Sequence, residues 1–288
     1  MRTAWAGMAL ATMMLAGCAT NLAPVRDFGA QTRALAEAFE PLLADSLEHC
    51  RSQVLDRRLY ASEEPAAHFD PAAAWKQAED TCRPLQQANA QARQLAAALD
   101  DYGRRLAELA SDTLPRALND EHDALATAWA ALGEAPKARV DAVRALSRFL
   151  SQRALGASQR EALEQALAHE EAVGAIAEAL ASYAQRVHGG LLTQRLDDLP
   201  ALSDAVRAQP GAPASMRGQL MALHRQGLAL QSQRQAAPRL QRAVVQLKAS
   251  LRELRRDPAR QHAAARWDAL DTLAREIRAL REAVGRGL

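Results

Sequence analysis

Three places in this chain gather residue types that do chemistry, and their spacing limits what each can do. His49 stands beside Cys50. Neighbouring helical residues point about 100° apart, so this pair does not readily share one metal ion. Asp120, Glu121, His122 and Asp123 form the densest titratable run. Acids at a helix start favour the positive end of the helix dipole, which accounts for them as a solvated first turn. His169 precedes Glu170 and Glu171, but no second histidine stands three or four residues away. Neither an HExxH motif nor a Glu-x-x-His pair is therefore present. A Gly-x-Ser-x-Gly elbow is also missing. Gly189, Gly190 and Gly211 do not make a phosphate-cradling loop. The expectation is a non-enzymatic protein with no catalytic set, no metal site and no cofactor.

The cysteines carry more. Cys50 falls in the helical stripe Leu35, Phe39, Leu43, Leu47, Cys50, Val54, and Cys82 in the stripe Trp75, Ala78, Cys82, Leu85. Both are expected to face inward on neighbouring helices, as a helix-to-helix disulfide requires. Two buried free thiols acting as small hydrophobes are the alternative. Closing a loop of about 33 residues adds roughly 3–4 kcal/mol on the chain-entropy account.

The third cysteine, Cys18, closes an apolar run that starts at Thr3 behind the single positive charge of Arg2. A positive start, an apolar stretch and small residues before a cleavage point are the layout of a secretory signal peptide. The stretch is shorter than the ~20 residues that span a bilayer. Its end, Leu15-Ala16-Gly17-Cys18, resembles the lipobox of bacterial lipoproteins. The resemblance implies cleavage before Cys18, diacylglycerol on its thiol and acylation of the new amine, with palmitate-like chains. Several chains anchor firmly, at ~0.8 kcal/mol per buried CH2. Ala19, where an aspartate would signal retention at the inner membrane, implies the periplasmic face of the outer membrane. A plain secretory signal with a chance cysteine is the competing reading.

These features must be positioned by helices. Ala, Leu, Arg, Glu and Gln dominate, aromatics make up 4%, and no stretch alternates as a strand does. The fold class expected is all-α, an elongated antiparallel bundle of about six to eight helices. The first helix runs from about Val25 to Leu59, with Pro41 starting or kinking its second part. Asp70 caps the next helix, disturbed at Pro84, whose seam is Leu95, Leu99, Tyr102, Leu106 and Leu109. Shorter helices follow, around Leu118 to Leu132 and Val140 to Leu150. Ser158 caps a long one that Gly189-Gly190 either breaks or kinks. Pro200, Pro210, Gly211 and Pro213 read as a linker. Helices resume from Ala214, with an interruption near Pro238 and a final start at Asp257-Pro258. The expected organisation is a signal peptide over 1–17, a lipidated tether over 18–24, an N-terminal bundle over 25–209 and a basic C-terminal helical hairpin over 210–288. Tyr102, Tyr183, Trp75, Trp129 and Trp267 all fall in apolar stripes and are expected to pack rather than line a ligand box.

The stretch from Leu95 to Leu199 is similar to a recurring group of helical bacterial envelope proteins without an assigned activity. Leu95, Leu99, Tyr102, Leu106, Ala107, Leu125, Leu132, Leu180 and Tyr183 carry the similarity. It implies helices and supplies no catalytic residue.

Charge is distributed unevenly. Residues 213–288 hold fifteen Arg or Lys against six Asp or Glu, a net of +9, while residues 18–212 carry −8. No acid occurs between Asp204 and Glu253, where eight basic residues do. Arg234, Arg239, Arg242 and Lys248 are the candidate partner-binding residues of that run, facing lipid A phosphates, cell-wall carboxylates or an acidic protein. The alternative is neutralisation by the acidic N-terminal helices. Export from the cytoplasm excludes nucleic acid as a partner. The function expected is an adaptor or scaffold held in the outer membrane through Cys18 and binding another envelope protein or the cell wall. A carrier or sensor of an apolar small molecule, and an accessory or immunity lipoprotein of a secretion system, are the alternatives.

Overall fold

The computed structural model describes residues 22–61, 68–111, 125–132, 137–151, 158–208, 213–256 and 264–285. Among these residues the chain is all-α and has no strand. Ten helical segments follow in order: α1 (Ala23–Glu37), α2 (Phe39–Ala61), α3 (Pro71–Leu109), α4 (Leu125–Ala131), α5 (Lys137–Ser151), α6 (Gln159–Ala168), α7 (Glu170–Ala208), α8 (Pro213–Gln233), α9 (Ala236–Arg256) and α10 (Ala264–Gly285). Single residues separate α1 from α2 and α6 from α7, so these pairs act as two interrupted rods and the bundle has eight.

The local causes are readable. Pro41 lies near the start of α2, where its missing N–H costs least, and the break falls just before it at Ala38. Asp70 accepts hydrogen bonds from the backbone N–H groups of Ala72 and Ala73 and so caps α3. Ser158 and Glu161 form a reciprocal capping box at the start of α6. Pro84 lies inside α3 and Pro200 inside α7.

Pro200 corrects the expected linker, because α7 runs on to Ala208. A proline in a helix interior costs about 3 kcal/mol. The turns after it offset that cost by burying Leu202 and Val206 with Leu223 of α8. Gly189-Gly190 does not interrupt α7 either. Among the described residues beyond 210 the basic segment is divided into three helices, α8, α9 and α10.

The α1–α2 rod runs antiparallel to α3, and the pairs stay in register along its length. Gly29 meets Gly103, Arg33 bonds Asp100, Glu40 bonds Arg93, and the Leu43 carbonyl accepts from Asn89. The same helices are joined by Cys50 and Cys82. At the glycine crossing the backbones nearly touch: a Cβ on Gly29 would stand 2.4 Å from the Gly103 carbonyl oxygen, and one on Gly103 2.5 Å from that of Gly29. α7 lies antiparallel to α3 and parallel to α2, and α9 lies antiparallel to α7 and to α10.

One apolar core runs from Val25 to Val284 through every helix except α8. The seams of α3 (Leu95, Leu99, Tyr102, Leu106) and α9 (Leu240, Val244, Leu247, Leu251) are buried in it. Helix α8 instead shares a smaller cluster with the end of α7 and Tyr60. Among the described residues no helix is long and apolar enough to cross a membrane.

Candidate functional site

Cys18 lies outside the described residues, as do Asp120, Glu121, His122 and Asp123. His49 and Cys50 diverge as adjacent helical positions must. Cys50 turns to α3 and is bonded to Cys82 with their Cα atoms 6.1 Å apart. Cys82 is fully buried and Cys50 half-buried. His49 turns instead toward α7 and α8.

That second direction leads to a buried polar cluster. The His49 Nε2–H donates to Gln233 Oε1 at 3.0 Å, and the His49 ring lies 5.9 Å from that of His188. His188 is only 2% exposed, and neither of its ring nitrogens has a hydrogen-bond partner among the described residues. Burial, reinforced by the neighbouring His49, lowers its pKa to about 4. Burial lowers His49 too, and the Arg195 cation adds to the effect. Two turns further along α7, buried Arg195 donates to Asp56 Oδ2 at 3.0 Å and to the His49 carbonyl at 3.4 Å. Asp198 accepts from Gln53 at 2.9 Å and Arg57 at 3.2 Å. A buried cation so paired is held in place, because removing its carboxylate would leave an uncompensated charge. Burial disfavours the charged form of both histidines, and the cluster's hydrogen bonds join α2, α7 and α8. Among the described residues no group of three or more His, Cys, Asp or Glu is placed to hold a metal ion.

His188 and Arg195 were not singled out from the sequence, although a signal exists. Ala184, His188, Leu192 and Arg195 recur every three or four residues, so the inward stripe of α7 passes through two polar side chains. His169 ends α6 against Phe149, ring to ring at 4.9 Å, and burial lowers its pKa. Tyr102, Tyr183 and Trp129 pack as expected, donating to the Ala166 carbonyl, Asn89 Oδ1 and the Ala175 carbonyl. Trp75 and Trp267 do not: they are 43% and 38% exposed. Trp75 is covered by the Arg51 guanidinium, 5.6 Å from its ring, and lies beside the buried face that Ala74 and Ala78 form.

The basic run is divided between paired and unpaired cations. Lys248 bonds Glu178, Arg252 and Arg255 share Glu170, and Arg242 bonds Glu276 at 3.2 Å. These contacts neutralise α9 against α7 and α10. Arg234, in the α8–α9 turn, and Arg239 form no ion pair among the described residues, and neither do Arg217 and Arg225 on α8. Of the four predicted partner-binding residues, Arg242 and Lys248 are ion-paired within the bundle, while Arg234 and Arg239 are not ion-paired among the described residues.

Two surface clefts border these features. One, of ≈ 310 Å³, lies between α2 and α7 and is walled by Asp56, Arg57, Arg195 and Asp198 beside Tyr60 and Leu202. The other, of ≈ 400 Å³, lies between α7 and α9 beside Glu178, Lys248, Arg252 and the exposed Val245. Both would place an apolar ligand against charged groups. Comparison with protein-family models, with curated proteins and with solved structures finds no match for this chain.

Proposed function

We propose that the chain is an outer-membrane lipoprotein, anchored at its periplasmic face through Cys18, that acts as a non-enzymatic adaptor for another envelope protein or the cell wall. The Leu15-Ala16-Gly17-Cys18 sequence supports the anchor. One observation carries the adaptor reading: the acid-free run pairs Arg242, Lys248 and Arg252 with Glu276, Glu178 and Glu170, yet Arg234 and Arg239 form no ion pair among the described residues. Cations without a partner inside the bundle raise the local concentration of an anionic partner.

The test is crosslinking in intact cells, with neighbours identified by mass spectrometry for the wild type and for Arg234→Glu/Arg239→Glu. The reading expects one reproducible neighbour whose recovery falls about tenfold in the variant, with unchanged thermal unfolding. Equal recovery from the variant, or recovery of the protein alone, would count against it.

A further inference from the structure

We infer that the outer face of α8 is a second membrane contact, one that lies on the anionic lipid surface. Arg217, Met221, His224, Arg225 and Leu228 fall within about 100° of arc on this helix, opposite buried Leu223, Gly227 and Leu230. Met221 is 50% exposed and Leu228 55%, two of the largest apolar exposures in the described chain. The face holds no acid, and its two arginines are unpaired among the described residues. Arginines interleaved with long apolar side chains are the composition of a helix that rests in a headgroup layer, cations on the phosphates and apolar groups below them. A protein partner would need a surface both acidic and apolar, whereas an anionic leaflet offers both everywhere.

Position strengthens the argument. Helix α8 packs at the Tyr60 end of the α1–α2 rod, whose other end, Ala23, follows Cys18 by five positions in the sequence. The adjacent α3, 39 residues long, sets the separation at about 58 Å. With the anchor at one end and α8 at the other, the bundle lies along the leaflet instead of standing away from it. This inference rests on the anchored reading for its orientation, but the α8 contact itself does not need the lipid on Cys18.

The test is hydroxyl-radical footprinting of Met221. Full-length protein purified from the envelope is placed on vesicles of phosphatidylcholine alone, or of equal parts phosphatidylcholine and phosphatidylglycerol. Protection of Met221 is expected on the anionic vesicles only, with its loss in high salt, where screening shortens to about 3 Å at 1 M. In Arg217→Gln/Arg225→Gln the docked-to-open ratio should fall about thirtyfold. Met221→Gln/Leu228→Gln should also weaken docking, read by protection of the α8 backbone from hydrogen exchange. Equal oxidation on both vesicles overturns the inference, as does protection in intact cells that disappears on anionic vesicles, which would assign the face to a protein. If Cys18 carries no lipid, the anchored reading fails separately, and co-sedimentation of the same protein with the two vesicles still decides the α8 contact.

Discussion

At the scale of single residues, His188 and the disulfide make opposite contributions. A histidine held neutral by burial binds its proton less readily folded than unfolded. Its folded pKa of about 4 lies below the ordinary value of 6.5. Stability is therefore fully present above pH 6.5, falls as pH drops through that window, and levels off below about pH 4. The loss attributable to His188 across the window is about 3 kcal/mol. His49 and His169 are lowered in the same direction and add to it. His188→Leu keeps the volume and removes two unpaired nitrogens. Its urea midpoint should match or exceed the wild type near neutral pH and exceed it clearly near pH 4.5; parallel pH profiles would show that His188 does not titrate this way. Replacing Cys50 and Cys82 together by alanine should cost about 3–4 kcal/mol, read from the same urea curves. A loss below 1 kcal/mol would mean that the α2–α3 pairing is already held by its packing.

At the scale of elements, close approach is what the helices cannot surrender. Gly29→Ala forces a methyl onto the Gly103 carbonyl at the α1–α3 crossing, and should destabilise by about 3 kcal/mol. Gly190→Ala, in a helix interior with nothing within 4 Å, should stabilise by up to about 1 kcal/mol. Calorimetry on the two variants checks the sign of both. The elements themselves were largely legible: the caps at Asp70 and Ser158, the break before Pro41 and the seams of α3 and α9 follow from local chemistry and period. What escaped was set by tertiary packing. Pro200 and Gly189-Gly190 looked like breaks because propensity is local, but burial of Leu192, Leu202 and Val206 carries α7 through them. Trp75 shares the period of Cys82, yet the first turns of α3 bury the small Ala74 and Ala78 and leave Trp75 at the edge of that contact. The pairing of Lys248 with Glu178, 70 residues apart, has no local signature at all.

At the scale of the whole molecule, the charge imbalance resolves into two populations. Cations of α9 pair with acids of α7 and α10, while Arg217, Arg225, Arg234 and Arg239, on α8 and at its junction with α9, form no ion pair among the described residues. If Cys18 is the anchor we propose, such a surface has its contacts on the membrane or close above it. The whole account depends on that anchor. Its most direct test is the intact mass of the N-terminal peptide from protein recovered in the outer-membrane fraction. The account predicts a chain that begins at Cys18 and carries diacylglycerol on its thiol with an acylated amine. A chain that begins elsewhere, or an unmodified Cys18 in protein recovered from the soluble periplasmic fraction, would contradict it.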